Sequence, residues 1–417
     1  MKGNKVFDGL KVADFAWVAV GPLVGQLLAS FGATVVKVEC HRYPDMIRVV
    51  GPFKDGISGI NRGPFGTLPN ANKYGISLDI NKPRGQEVAK KLVAWADLVS
   101  DSMTPGTMAK WGLDYESCRK IKPDIIYYST TMMGQHGPLN RFAGYGLQGA
   151  AYAGFCELTG LPDREPLTMV TPYTDLIAPQ YLIVCVIAAL LRRRKTGKGM
   201  YFDQSQVEAG ITCLAPLVLD YVVNQRIASR MGSRDPYVAP HGTYPCRGVD
   251  RWVAIAVSTH QEWRAFCQVI GEPDWTKDPK FATLLARKEN EDELDRLIGE
   301  WTKDYTAEQI MAMMQDAGVP AGVVETWEDA GNDPQLKHRE HFNFLEHKEI
   351  GRHAYHSPAF KLSKTPAELR KASPCLGEDN EYVYQEILGL SDDEIAELLA
   401  EGAITTEADA PATISGL

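Results

Sequence analysis

Two periods of apolar and polar positions alternate along the first half of the chain. Residues 10–15 and 34–39 are short apolar runs, and 23–31 between them carries an apolar helical face that stops at Gly32. Strand, helix and strand in that order predict a βαβ unit, whose parallel strands need helices on their faces. The alternation continues with strands predicted at 76–78, 98–100 and 125–129 and an amphipathic helix at 84–94. Residues 131–173 are loose and rich in Gly and Pro. A long apolar helix follows over 174–194, with Pro179 in its opening turns, where proline is tolerated. A strand at 200–204 and a helix over 207–224 complete this half.

The texture changes at 226–240 to a polar connector containing Gly and Pro. Beyond it the pattern predicts a strand at 252–257 and helices at 261–270, 289–302 and 307–315. A strand-like 321–325 restarts the α/β texture, and helices at 382–388 and 392–401 close the chain. The expected organisation is a large domain starting in 1–225, a small domain over 226–320 and a return to the large domain over 321–417. The tail from 404 onward, rich in Ala and Thr, is expected to fray.

Composition narrows the classes of function. The 417 residues are 44% hydrophobic and 23% charged, which fits two or three domains with a large core and excludes a fibrous or disordered protein. Lys and Arg number 44 against 53 Asp and Glu, a net charge of −9. So acidic a chain is a poor general nucleic-acid binder, and any anionic ligand needs a local basic pocket. The longest apolar run, 181–191, falls short of the ~30 Å of hydrocarbon in a bilayer. Residues 1–5 hold no apolar signal core, so the chain reads as cytoplasmic with no membrane partner. The 8 cysteines are scattered without a CxxC pair, which excludes zinc-ribbon and thioredoxin-like readings and predicts reduced thiols.

The first strand-to-helix turn, Val20-Gly-Pro-Leu-Val-Gly25, spaces its glycines G-x-x-x-G and lacks the G-x-G-x-x-G of a dinucleotide site. Gly197-Lys-Gly199 follows a helix, the wrong side for a phosphate loop. His338 and His341 are spaced like helical metal ligands, but no further pattern completes them, and no metal is expected. The cluster Arg192–Lys195 either complements a helix dipole or binds phosphate. Asp175, at the head of the long apolar helix, is either a capping or first-turn acid or a carboxylate nucleophile able to attack an activated acyl group.

Taken in order, the motifs resemble the family III CoA-transferases, the group that includes formyl-CoA:oxalate and carnitine CoA-transferases. The resemblance covers nearly the whole chain. It runs through Gly9-Leu-Lys-Val-Ala-Asp-Phe15, Val20-Gly-Pro22 and Phe31-Gly-Ala-Thr-Val-Val-Lys-Val-Glu39 to Asn72-Lys73 with Ser77-Leu-Asp79. Pro105-Gly106, Trp111-Gly-Leu-Asp-Tyr115, Gly134-Gln-His-Gly-Pro138, the stretch 188–199 and Leu376-Gly-Glu378 follow. The family implies a Rossmann-like large domain with a parallel sheet, a smaller inserted α+β domain, and two chains threaded as interlocked rings. It implies no permanently bound cofactor, with coenzyme A thioesters and carboxylic acids as substrates.

Counted back from Ala188-Ala-Leu190, Asp175 stands where the family carries its catalytic aspartate. The implied mechanism passes through an aspartyl anhydride and an aspartyl-CoA thioester. The same resemblance places Lys73 and Asn72, Arg48, Val18, Ala19 and Thr104 around the CoA, with Trp17 and Tyr145 in the acyl pocket. Some expected groups are replaced: Thr104 and Cys40 stand where basic contacts are frequent, Ala19 where some members have Gln, and 239–243 is not Gly-rich. The superfamily also contains α-methylacyl-CoA racemases, whose His falls where this chain has Tyr145, a poor general base at neutral pH. A non-catalytic CoA-binding subunit, in a heteromer with a related chain, is the third reading. Tyr173–Pro179 and Val238–Gly242 are similar to the branch acting on aryl-substituted succinates and other aromatic acids, which implies such an acceptor and succinyl-CoA as donor.

Overall fold

The computed structural model describes residues 5–411. By its contacts the chain falls into two compact units. One comprises Met1–Phe155, Thr168–Arg226 and Gln335–Leu417; the other comprises Cys156–Leu167 and Ile227–Pro334.

The first unit is built on six parallel strands: β1 Lys11–Phe15, β2 Thr34–Glu39, β3 Tyr74–Ser77, β4 Leu98–Asp101, β5 Ile126–Thr131 and β6 Met200–Ser205. Their spatial order is β3-β2-β1-β4-β5-β6, the doubly wound order in which the connections reverse direction beside β1. Helices α1 Val20–Ser30, α2 Pro83–Trp95, α3 Gly146–Tyr152, α4 Tyr173–Thr196, α5 Gln206–Cys213 and α6 Ala215–Asn224 follow the strands in chain order. Val12, Val35, Leu98 and Ile126 form one core with Leu28 of α1 and Leu182 and Val186 of α4. Ala13, Val36, Val99 and Tyr127 form the opposite core with Val88 and Leu92 of α2. Adjacent strand residues point to opposite faces, so both faces are apolar and the strands read as continuous β-branched runs.

The 24 residues of α4 are long and apolar enough to cross a bilayer. They exceed the apolar run 181–191 because Thr174, Asp175 and the basic stretch Arg192–Lys195 extend the helix at both ends. Its Ala178, Leu182, Val186 and Ala189 are buried in the sheet core. At its end Arg193 pairs with Asp97 and Asp124, and Gly197 closes it at φ 67. The helix expected over 207–224 is broken in two, with α5 and α6 meeting at 68°. Pro216, in the opening turn of α6, lacks the N–H and the space to continue the preceding helix.

The second unit carries an antiparallel sheet of β7 His241–Pro245, β8 Trp252–Ala256 and β9 Ala321–Val323, in the order β7-β8-β9. Helices α7 His260–Val269, α8 Glu291–Thr302 and α9 Ala307–Asp316 pack around Phe266, Phe281, Leu294 and Ile310. The sequence reading returned the chain to the large domain at 321. Here β9 pairs with β8 instead, and the chain rejoins the first unit at Gln335. Residues 156–167, read as part of 1–225, belong with the second unit as well.

After Gln335 the hairpin β10 Phe342–His347 and β11 Gly351–His356 holds three of the five histidines of 338–356, and α10 Asp392–Ala400 follows. Val383, Tyr384, Leu398 and Ile404 fill the α2 side of the core. Ile404 also bridges Leu78, so the start of the expected fraying tail is anchored; its residues 412–417 lie outside the described ones.

Candidate active site

In a doubly wound sheet the loops leaving the C-terminal strand ends diverge where the order reverses, and a crevice opens there. The first unit has a cavity of about 460 Å³ at this place. It is lined by Trp17–Val20 after β1, Ser102, Thr104 and Pro105 after β4, and Thr130–Met133 at the end of β5. Asn140–Gly146, Asp175 and Gln206 complete it.

Its β1 side is shaped by buried charge. Val18 stands at φ 68, a costly conformation for a β-branched residue. Asp45 holds it there, accepting the Val18 N–H at 3.0 Å on both oxygens. Asp45 is in turn paired with Lys37 Nζ at 3.0 Å, and Lys37 also donates to Ala16 O. Ser102 Oγ accepts the Trp17 N–H at 2.7 Å. The loop that forms the cavity floor is thus tied to strands β2 and β4.

Asp175 lies in the first turn of α4 and is 8% exposed. It does not cap that helix, whose N-cap is Pro172 with no side-chain bond. Its carboxylate instead faces the cavity, where Gln206 Nε2 donates to Oδ1 at 2.5 Å. Burial pushes the Asp175 carboxyl up to about 6, and the Gln206 bond opposes that shift. Gly146, at the start of α3, lies against the same carboxylate: a Cβ there would stand 2.6 Å from Asp175 Cγ. Thr174, fully buried beside it, donates through Oγ1 to Gly146 O.

The residues expected around the CoA separate into two groups. Trp17, Val18, Ala19, Thr104 and Tyr145 all line the cavity with Asp175. Lys73, Asn72 and Arg48 do not. Lys73 is fully buried, bonded to Asp14 Oδ2 at 2.8 Å and Asn70 Oδ1 at 3.0 Å. Burial pulls its ammonium down to about 8, with Asp14 acting in the opposite direction. Arg48 is buried in a two-pronged bond to Glu39 at 2.7 and 2.8 Å. Asn72 docks the C-terminal segment, donating to Glu368 O and accepting from the Arg370 and Lys371 N–H groups. The place of these three apart from the cavity differs from the expectation that they surround the CoA. Their polar atoms are spent on packing the fold and are not free for a phosphate.

Three residues that the sequence reading passed over belong to the site: Gln206, Gly146 and Arg141. Arg141 is exposed, lines the cavity, and is its one Lys or Arg side chain. Among the described residues no cluster of three His, Cys, Asp or Glu could hold a metal. All eight cysteines are unpaired.

The chain matches the model of CoA-transferase family III over residues 7–380. It is 32% identical over 397 residues to the succinyl-CoA–D-citramalate CoA-transferase of Chloroflexus aurantiacus, covering 95% of this chain and 98% of that one. It is 28% identical over 404 residues to the human succinyl-CoA:glutarate CoA-transferase, covering 97% and 91%. Its fold superimposes on the crystal structure of a CAIB/BAIF family protein from Brucella suis with a TM-score of 0.84 at 32% identity, over 92% of this chain and 100% of the other.

Proposed function

The chain belongs to CoA-transferase family III, and from that premise we propose that it moves CoA from succinyl-CoA to a second carboxylic acid, with Asp175 as the covalent nucleophile. The observation that carries this reading is the Asp175 carboxylate itself. It is buried at a cavity wall, bonded on one oxygen and open on the other. A carboxylate so placed can attack a thioester carbonyl and divide one exchange into smaller steps. Thioester is traded for thioester, so no external energy source is needed.

The substrate class follows from the relatives and from the cavity lining. The two relatives described above are named for succinyl-CoA, with citramalate or glutarate as partner, all acyl groups that bear a second carboxylate. Arg141 supplies a cation for such a group. Trp17, Phe142 and Tyr145 add aromatic surface, which suits an aryl-substituted succinate. The cavity offers one carboxylate and no imidazole, which favours acyl exchange over racemisation by a pair of acid–base groups.

The functional form is a dimer of this chain. Val184 and Leu191 of α4 and Leu219, Val222 and Val223 of α6 are exposed, Val223 at 74%, an apolar surface of the kind that a second copy covers. The interlocked arrangement of the family accounts for it.

The test is direct. The protein is incubated with succinyl-CoA and glutarate, citramalate or phenylsuccinate, and new acyl-CoA is followed by mass spectrometry. Exchange that Asp175→Ala abolishes supports the reading; exchange that survives in Asp175→Ala contradicts it.

A further inference from the structure

The two oxygens of Asp175 are not equivalent. Oδ1 accepts Gln206 Nε2–H at 2.5 Å, while among the described residues no donor reaches Oδ2. Gln206 is itself held rigidly. It is the first residue of α5, directly after β6, and 9% exposed. Its neighbours are pinned on both sides: Ser205 Oγ donates to Met132 O and accepts the Glu208 N–H, and the Val207 N–H bonds Met132 O. The amide therefore points at Oδ1 before any substrate arrives. Ala19, across the cavity, has no side-chain donor to share that task.

The geometry assigns Gln206 as the donor that stabilises negative charge on Asp175 Oδ1 each time the aspartyl carbonyl is attacked. This rests on the reading of Asp175 as nucleophile. The open Oδ2 attacks the thioester carbonyl carbon, the C–S bond breaks, and CoA leaves as thiolate. In the resulting anhydride Oδ2 is the bridge and Oδ1 a neutral carbonyl oxygen. The thiolate then attacks Cγ, the carbonyl π electrons move onto Oδ1, and collapse breaks Cγ–Oδ2 to release the donor acid as carboxylate. The acceptor carboxylate attacks the aspartyl thioester in the same way, charging Oδ1 again before CoA thiolate is expelled. Thiolate attack on the acceptor acyl carbon finally returns the aspartate. No proton is gained or lost, which matches a cavity without a general base.

In both intermediates Oδ1 is a neutral carbonyl oxygen, and in the tetrahedral species between them it is an oxyanion. The Gln206 bond strengthens at that point, which is the condition for accelerating the step beyond aiding binding. Removing one such donor typically slows the chemical step by ~10²-fold or more.

The experiment follows formation of the CoA adduct on the Asp175 peptide by rapid quench and mass spectrometry, with succinyl-CoA and no acceptor. Gln206→Met keeps the length of the side chain without its donor. It is expected to form the adduct about 10²-fold more slowly, with succinyl-CoA affinity and melting temperature close to wild type. Gln206→Glu gives a second readout. One proton shared between two carboxyl groups restores a donor at acid pH, and the second ionisation removes it. Its pH–rate profile should be a bell where the wild type has a plateau. Adduct formation at the wild-type rate in Gln206→Met, or a Gln206→Glu profile that keeps the plateau, would overturn the assignment. A wild-type protein that forms no adduct on Asp175 would overturn the nucleophile reading beneath it.

Discussion

Gly146 and Asp175 lie so close that the glycine has no room for a side chain. A Cβ there would stand 2.6 Å from Asp175 Cγ, closer still to Oδ1, and 2.5 Å from Pro172 Cβ. Gly146 has an ordinary negative φ, so close approach and not backbone conformation demands it. In Gly146→Ala the carboxylate must move, and a displacement of about 1 Å in a reacting group costs about 10²-fold in rate. The expected outcome is that loss in kcat/KM for CoA exchange, with a folded protein by circular dichroism.

The proposed role of Asp175 as nucleophile requires it to be ionised. With the Asp175 carboxyl near 6, kcat/KM should fall about tenfold per pH unit below that value and level off above it. A profile set by free Asp175 would hold its plateau down to about pH 4. Steady-state rates between pH 4.5 and 8 separate the two.

The same shift has a consequence for stability, of opposite sign to a paired carboxylate. Folding raises the Asp175 carboxyl from 3.8 to about 6, so the neutral form is favoured in the fold and ionisation costs it about 3 kcal/mol at most. Asp175→Asn removes that cost. The variant should melt higher than wild type above pH 6, with the gain shrinking as pH falls and vanishing below 3.8. Calorimetry across this range measures it; a variant less stable at pH 7 than at pH 4, relative to wild type, would show that burial of the charge is not the cause.

Lys73 tests the division of labour between fold and site. It pairs with Asp14 in a fully buried network. Lys73→Met leaves Asp14 without its partner, which should cost about 3–5 kcal/mol of stability. What folded protein remains should bind CoA with nearly unchanged affinity. Denaturant unfolding and isothermal titration with CoA read the two effects separately.

Much of the fold was readable in the chain. Strand β2 falls on the expected 34–39 because Val35, Val36 and Val38 face two different cores. The long helix was legible from its apolar run, whereas the place of Asp175 at its head left a first-turn acid and a nucleophile both open, and only the family resemblance singled it out. What stayed hidden depends on contacts distant in sequence. Ala321–Val323 carries the β signal wherever it pairs, and only the sheet decides that it joins β8. Strands β10 and β11 alternate His, Arg and Glu with apolar residues and have a single partner each, so their pattern is weak. Gln206 lies 31 residues beyond Asp175, at a strand-to-helix junction that looks ordinary. The pairing of Lys73 with Asp14 was hidden for the same reason, since a motif marks a lysine but not which acid it meets.

In the function proposed above, Arg141 selects for a second carboxylate. Arg141→Gln should raise KM for glutarate at least tenfold, the scale of a lost charge-assisted bond, and leave KM for a monocarboxylate of the same length unchanged. An equal rise for both acids would instead place the guanidinium against the CoA moiety.

The central claim, that Asp175 becomes covalently bonded in each turnover, predicts a transfer of atoms. Each cycle sends one Asp175 oxygen out with the donor acid and takes one oxygen in from the acceptor. The measurement is turnover with acceptor acid labelled in its carboxylate with heavy oxygen, followed by proteolysis and mass spectrometry of the peptide containing Asp175. The account predicts that this peptide gains the mass of a heavy oxygen, and that Asp175→Asn gains nothing. Exchange that proceeds to completion while the wild-type peptide keeps its original mass would contradict it.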